Sequence, residues 1–323
     1  MRLETQEAFA IARQAILDAG ANDSIATSLA NAVVSAEWAG SRAVGFAHLP
    51  DYLDGFVKGR ISTSAEPTIT SPAPALTRVD AHGGIAQLGF DRAFDQIVER
   101  ANTFGVTAFS QTNNFTVGEL GYYPRRLAEK GLVTIAVTNA TAQMTTLDSR
   151  KPVYGTNPMA FAAPTGRAKP FVLDQASSAT AFVNVRQAAE RGEAIPEGWA
   201  VDANGEPTTD AQKAVKGLLL AFGGARGANL ALMVEILAAG LTGGNWSIDA
   251  PSYASGSECP GVGLFVVAIK PDLLVPNFID RLSAQIDRLA GRGVRIPGSH
   301  LNITELEVPD GLLSTIRAFN RPV

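Results

Sequence analysis

Val106-Thr107-Ala108-Phe109-Ser110-Gln111 reads as a strand, with β-branched and aromatic residues set among small ones. A helix follows over Gly118–Lys130 and is stopped by Gly131; a second strand, Leu132–Asn139, comes next. Upstream, Leu76–Val79 and Ile85–Leu88 read as strands around the turn Ala81–Gly84, and Phe90–Thr103 as a helix. Downstream come the strands Pro158–Ala163 and Pro170–Leu173, the helix Asn184–Arg191, and a buried strand at Val262–Ile269. Strands and helices alternate, which predicts an α/β fold with a mixed sheet.

The flanks have a different texture. Thr5–Ala19 places Ala8, Ile11, Ala12, Ala15 and Ile16 on one helical face, with Gly20 behind it as a cap. Asn22–Ser24 caps a second helix, Ile25–Ala39, and His48–Val57 is a third with Pro50 near its start. Pro67–Pro74 holds three prolines, so it reads as a connector and a candidate domain boundary. Trp199–Asp210 is rich in turns. Ala228–Leu241 is a strongly apolar helix, and Phe278–Leu289 an amphipathic one.

The composition excludes several functions. The 323 residues carry 27 Lys+Arg against 31 Asp+Glu, with pI near 5.5, so there is no basic footprint for nucleic acid. One cysteine, Cys259, cannot form an internal disulfide. With only His48, His82 and His300 beside it, a Cys/His zinc site is not expected, nor any other metal site. His82 reads as a turn residue and His300 as part of a polar tail. No apolar run reaches the roughly 18 residues of a membrane span, and no apolar signal core opens the chain. The expected location is the cytoplasm.

No G-x-G-x-x-G, Walker, G-x-S-x-G or H-E-x-x-H motif is present. Several small-residue segments remain. Asn113–Gly121 leads from a strand into a helix; its free N–H groups suit a dinucleotide pyrophosphate, or serve as an ordinary N-cap. Gly155-Thr156-Asn157-Pro158 is a ligand contact at Thr156 or simply a good turn. Asp174-Gln175-Ala176-Ser177-Ser178 ends a strand, where α/β folds often line sites or cap helices. Gly223-Gly224-Ala225-Arg226-Gly227 places one cation beside flexible backbone before the apolar helix, which suits a phosphate or a plain helix entry.

In order along the chain, these segments resemble the malate/L-lactate dehydrogenase family of the non-Rossmann type. That family includes ureidoglycolate, sulfolactate and diketogulonate oxidoreductases and the Δ1-piperideine/pyrroline-2-carboxylate reductases. The resemblance runs from about Leu3 to Pro297-Gly298. Its most specific stretches are Gly155–Phe161, Ile195–Ala200 with Pro207–Asp210, and Gly223–Thr242. It implies an α/β nicotinamide-binding domain over residues 71–210, inserted into a mainly helical domain formed by 1–70 and 211–323. It also implies a homodimer with the active site between domains. On the same basis NAD or NADP would meet Thr116, Val117, Gly118, Glu119, Leu120, Asp174, Gln175, Ala176, Gly224, Arg226 and Arg295, and Thr156 would touch a small-molecule substrate. Arg226 and Arg295 could serve a 2′-phosphate or the pyrophosphate. Glu119 could favour an unphosphorylated ribose, or could be a first-turn acid that suits the helix dipole.

The chain departs from the family at its acid/base motif, Ser-His-Gly with an arginine four residues after the histidine. Ala43 and Val44 stand at the serine and histidine positions, His48 at the arginine position, and Thr116 at a second histidine position. Reduction of a carbonyl needs a proton at the forming alkoxide, and valine has none to give. Three readings follow. His48 takes over as acid/base, with Arg42 or Tyr52 supplying substrate contacts, in an enzyme that interconverts a small 2-oxo acid and its 2-hydroxy acid. Alternatively, the acceptor is a cyclic iminium, which takes hydride without a strong acid. A third reading is a cofactor-binding homologue with no turnover.

Overall fold

The computed structural model describes residues 1–298, 303 and 305–319. Its largest element is a seven-stranded mixed sheet. The order is Thr68–Ala73, Leu76–Asp80, Val106–Asn114, Val262–Ile269, Val133–Thr138, Met159–Ala163 and Phe171–Gln175. Only Leu76–Asp80 and Val106–Asn114 run parallel; the other neighbours are antiparallel. The sequence Val-Gly-Leu-Phe-Val-Val-Ala-Ile suits the central strand because it is covered on both faces. One face carries the helices Ala86–Phe104 and Tyr122–Ala128 over Phe90, Phe109 and Leu264. The other carries Val234 and Ala238 of the helix Ala225–Glu235 and the π-turn Ile236–Gly240. Gly263 lets that turn approach: a Cβ there would lie 1.8 Å from the Ala238 carbonyl oxygen.

The central strand crosses the expected domain boundary. Val262–Ile269 lies beyond residue 211, yet it pairs with Val106–Asn114 on one side and Val133–Thr138 on the other. The 211–323 segment is therefore not purely a helical unit. The first three helices, Thr5–Asp18, Asp23–Trp38 and Leu49–Val57, share a core with Asp310–Arg317. Asn22 caps the second by accepting the Ile25 N–H at 2.9 Å. A small four-stranded sheet, ordered Pro207–Thr208, Ala200–Val201, Leu218–Leu220 and Met144–Thr145, packs on Phe182–Arg191 over a third core.

Three local expectations change. Pro67–Pro74 contains an edge strand, Thr68–Ala73, with an irregular register between Thr70 and Ala73; an edge tolerates Pro72 because its missing N–H is not needed in the ladder. Ile85–Leu88 is a helix entry, not a strand. A short apolar run has no period of its own, and here Ala86 and Leu88 belong to the buried face of Ala86–Phe104. The helix expected from Gly118 begins at Tyr122, because Gly118 (φ +67°) takes a left-handed turn first. Among the described residues no helix is long and apolar enough to cross a membrane, and no cluster of three or more His, Cys, Asp or Glu could hold a metal. His300 lies outside the described residues.

Candidate active site

The helix Leu49–Val57 opens with His48 at its N-cap and Asp51 in its first turn. His48 Nδ1 lies 2.7 Å from Asp51 Oδ2, and His48 Nε2 faces Thr116 Oγ1 across a longer 3.4 Å. Thr116 Oγ1 donates to the Tyr52 hydroxyl at 2.9 Å. The Tyr52 and Tyr253 rings meet the imidazole edge-on, with centroids 4.9 and 5.6 Å away. Burial holds the Tyr52 phenol above its usual range, against the pull of its Thr116 and Gln87 hydrogen bonds.

The Thr116–Gly118 backbone is pinned above this group. Buried Gln87 and Tyr123 both donate to the Val117 carbonyl, at 3.0 and 2.8 Å. A Cβ on Gly118 would stand 3.2 Å from Gln87 Nε2 and 3.3 Å from the Tyr52 hydroxyl. The side chains of Val117 and Leu120 point into the core. Within the expected cofactor segment, the surface available to a ligand is thus backbone and Thr116.

Glu119 changes meaning. Its carboxylate is buried and accepts from Arg125 Nη1 and Nη2 at 2.9 and 2.6 Å, while Arg125 also reaches Ser35. It is committed to an internal ion pair and does not face a ribose. Nor is the Gly121 N–H open to a pyrophosphate, because Asp174 Oδ2 accepts it at 2.7 Å. Asp174 is the penultimate residue of the edge strand Phe171–Gln175. Crowding around its carboxyl, then the nearby Glu119 charge, push it up to about 6 against the Gly121 hydrogen bond. The residue itself is exposed, so solvent screens part of that effect. Gln175 is exposed beside it and Ala176 is half-buried.

From Asp174 the band continues to the other expected segments. The Thr156 carbonyl accepts the Ser177 N–H at 2.8 Å, and Ser177 Oγ donates to the Asn157 carbonyl at 2.7 Å. Asn157, in the left-handed region at φ +36°, donates to Glu235 Oε2 at 2.6 Å. Ser247 donates both its N–H and its hydroxyl to the same buried Glu235. The Phe222 N–H donates to the Ser177 carbonyl, so the glycine-rich turn begins beside this point. Gly223 and Gly224 have φ of +58° and +63° with open space at each Cβ position, and Arg226 is exposed in the first turn of Ala225–Glu235. Open backbone, a helix start and a cation fit a phosphate.

One expected residue falls elsewhere. Arg42 is exposed on a cavity lined by Met1, Arg2, Glu37, Phe46 and Leu312, and its charge acts on Glu37. The chain turns between Gly45 and Phe46, which sends residues 42 and 48 to different surroundings. Arg295 is exposed beyond the helix Phe278–Ala290.

Sequence reasoning missed three residues of the candidate site, and Glu37, which supports it from the Arg42 side. Asp51 carries a readable signal, since it lies one helical turn after His48. Gln87, Glu37 and Tyr253 carry none; each arrives from a distant element. Buried Glu37 accepts the Phe46 N–H at 2.8 Å and so holds the turn that delivers His48.

The sequence profile of the malate/L-lactate dehydrogenase family matches residues 3–305. The (2R)-3-sulfolactate dehydrogenase (NADP(+)) of Chromohalobacter salexigens is 35% identical over 298 residues, spanning 90% of this chain and 89% of that one. The Δ1-pyrroline-2-carboxylate/Δ1-piperideine-2-carboxylate reductase of Pseudomonas putida is 35% identical over 284 residues, spanning 86% and 83%. Among solved structures, the Δ1-piperideine-2-carboxylate reductase of Pseudomonas syringae superposes with a TM-score of 0.92 at 30% identity, covering 99% of both chains. Sulfolactate dehydrogenase of Methanocaldococcus jannaschii gives 0.83 at 26% identity, covering 98% and 90%. On this evidence the chain belongs to the malate/L-lactate dehydrogenase family and is one of its dehydrogenase/reductase enzymes.

Proposed function

We propose that this protein is an NAD(P)-dependent oxidoreductase that interconverts a small 2-oxo acid and its 2-hydroxy acid, with His48 delivering the proton. The observation that carries this reading is the placement of His48. One ring nitrogen is tied to Asp51, and the other turns towards Thr116, beside the Thr116–Gly118 backbone. The hydrogen-bonded band from there to Gly223–Arg226 supports a dinucleotide lying along it. Arg226 and the open glycines would take a phosphate, Thr116 and Gly118 would line the reacting end, and Thr156 would contact the substrate. When bound, the reduced nicotinamide supplies the hydride. The chain's own part is to exclude water with Tyr52 and Tyr253, orient the acceptor, and pass a proton from His48 Nε2 to the new alkoxide oxygen. Family resemblance supports a homodimer. So does the apolar stripe of Leu232, Met233 and Ile236, which stands 42 to 49% exposed on the helix Ala225–Glu235 and the turn after it.

A second reading is the cyclic imino acid as acceptor. It is favoured by the anionic, aromatic surroundings of His48, where Asp51, Tyr52 and Tyr253 gather and the family's arginine is absent. Such a wall suits a cation, and an iminium carbon accepts hydride without an acid. The deciding experiment is a fluorescence titration with NADH and NADPH, followed by turnover of pyruvate, oxaloacetate, sulfopyruvate and Δ1-pyrroline-2-carboxylate. Reduction of an oxo acid, with kcat lowered by about 10²–10⁴ in His48→Ala, is the expected result. Reduction of the imine alone moves the conclusion to the second reading. Unchanged turnover in His48→Ala removes the role given to His48, and cofactor binding with no turnover of any acceptor defeats the enzymatic reading.

A further inference from the structure

We propose that Asp51 is the positioning residue for proton transfer, acting through His48 to keep Nε2 as the working nitrogen; the proposal rests on the role of His48 given above. An ionised carboxylate only accepts hydrogen bonds. With Asp51 Oδ2 at 2.7 Å, Nδ1 must therefore carry its hydrogen, and the proton exchanged with substrate belongs to Nε2. The far side of the ring suits the imidazolium, the form that gives up the proton. Thr116 commits its hydroxyl hydrogen to Tyr52 and so turns a lone pair towards Nε2. The perpendicular Tyr52 and Tyr253 rings bracket the imidazole and oppose a flip that would exchange the two nitrogens. The charged and titratable groups facing this unit are Asp51 and Tyr52 on the same helix, and Tyr253 across from it. Arg186 acts on the Tyr253 hydroxyl together with Asp51.

In the step itself the Nε2–H bond breaks and an O–H bond forms on the alkoxide left by hydride addition. The imidazolium becomes a neutral imidazole, and Asp51 stays ionised throughout. A different role for Asp51 has to be separated from this one. It lies in the first turn of the helix Leu49–Val57, where an acid is favourable whatever His48 does. A helix-start role lowers stability and leaves the imidazole tautomer alone. A positioning role shifts the tautomer, whatever it does to stability.

The test uses Asp51→Ala, Asp51→Glu and His48→Ala in the full chain, plus the double variant His48→Ala/Asp51→Ala. Asp51→Ala is expected to lower kcat at least about 10-fold on the acceptor the wild type reduces, and by no more than His48→Ala does. KM and the NADH dissociation constant should stay within about twofold. Asp51→Glu should recover part of the loss, and Asp51→Ala should have no further effect once His48 is alanine. A readout independent of turnover is the ¹⁵N spectrum of His48 in the neutral ring. The wild type should hold its hydrogen on Nδ1, and Asp51→Ala should move the population towards Nε2–H. An equal loss of kcat in both backgrounds, or an unchanged tautomer, overturns the proposal. Wild-type turnover in His48→Ala defeats the underlying role of His48 instead, so the two failures are distinct.

Discussion

Gly45→Ala tests how the fold delivers His48. Gly45 sits at φ −93° and ψ −128°, and the first thing an added methyl meets there is the Glu37 carboxylate. A Cβ there would stand 2.3 Å from Glu37 Oε1 and 2.9 Å from Glu37 Cδ. Ordinary contact begins near 3.4 Å, so the buried carboxylate must retreat by about 1 Å. That retreat breaks its 2.8 Å bond to the Phe46 N–H and leaves a buried donor without an acceptor. A hydrogen bond to a charged group is worth about 1.5–3 kcal/mol, and the expected loss of stability is about 2–3 kcal/mol. Glu37→Gln keeps an acceptor oxygen. It also removes the charge whose burial, ahead of the opposing Phe46 and Arg42 interactions, holds this carboxyl above its usual range. It should cost about 1 kcal/mol or less. Gly45→Ala combined with Glu37→Ala should cost less than the two single changes added, because the clash is gone. Denaturant midpoints followed by fluorescence measure these differences. Because His48 lies three residues beyond Gly45, kcat should fall in the same order. A Gly45→Ala protein within about 0.5 kcal/mol of wild type and of equal kcat would refute the reasoning.

Two further predictions concern the Glu119–Asp174 corner. Arg125→Ala leaves Glu119 buried and uncompensated beside Asp174. It should destabilise the fold by about 3–5 kcal/mol, whereas replacing both Arg125 and Glu119 by apolar residues of similar size should cost much less; chemical unfolding measures both. Asp174 has its folded carboxyl raised to about 6 from 3.8, so it binds a proton more tightly when folded. Relative to Asp174→Asn, the wild type should therefore gain stability as pH falls from 7 through 6 towards 4, and lose it as pH rises through 6. Melting temperatures of the pair across that range give the sign, and a constant difference would contradict the shift.

Long periodic segments were legible in the sequence because their own side chains decide them. Thr5–Asp18, Val106–Asn114 and Val262–Ile269 bury the faces that their patterns mark. The family, and with it the oxidoreductase chemistry, was readable in Gly155–Phe161 and Gly223–Thr242, where backbone conformation constrains the residue choice. Short runs were not legible. Ile85–Leu88 becomes a helix, and Thr68–Ala73 an edge strand, because neighbours settle what four to six residues cannot. The central place of Val262–Ile269 was equally hidden, since pairing partners 150 residues upstream leave no mark on a strand's own pattern.

The site divides in the same way. Sequence alone determined that Val44 has no proton to give and that His48 is the histidine in the stretch that resembles the family's acid/base motif. Only tertiary structure decided what surrounds it. Thr116 arrives from the end of one strand, Gln87 from a helix and Tyr253 from a loop, while Arg42 is turned away into another cavity. Glu119, which suits a ribose or a helix dipole on sequence grounds, is drawn instead into a buried pair with Arg125. The physical reason is common to all of these cases. A side chain's propensity is local, but its charge, hydrogen-bond partners and access to solvent are set by whatever the fold brings within a few ångströms.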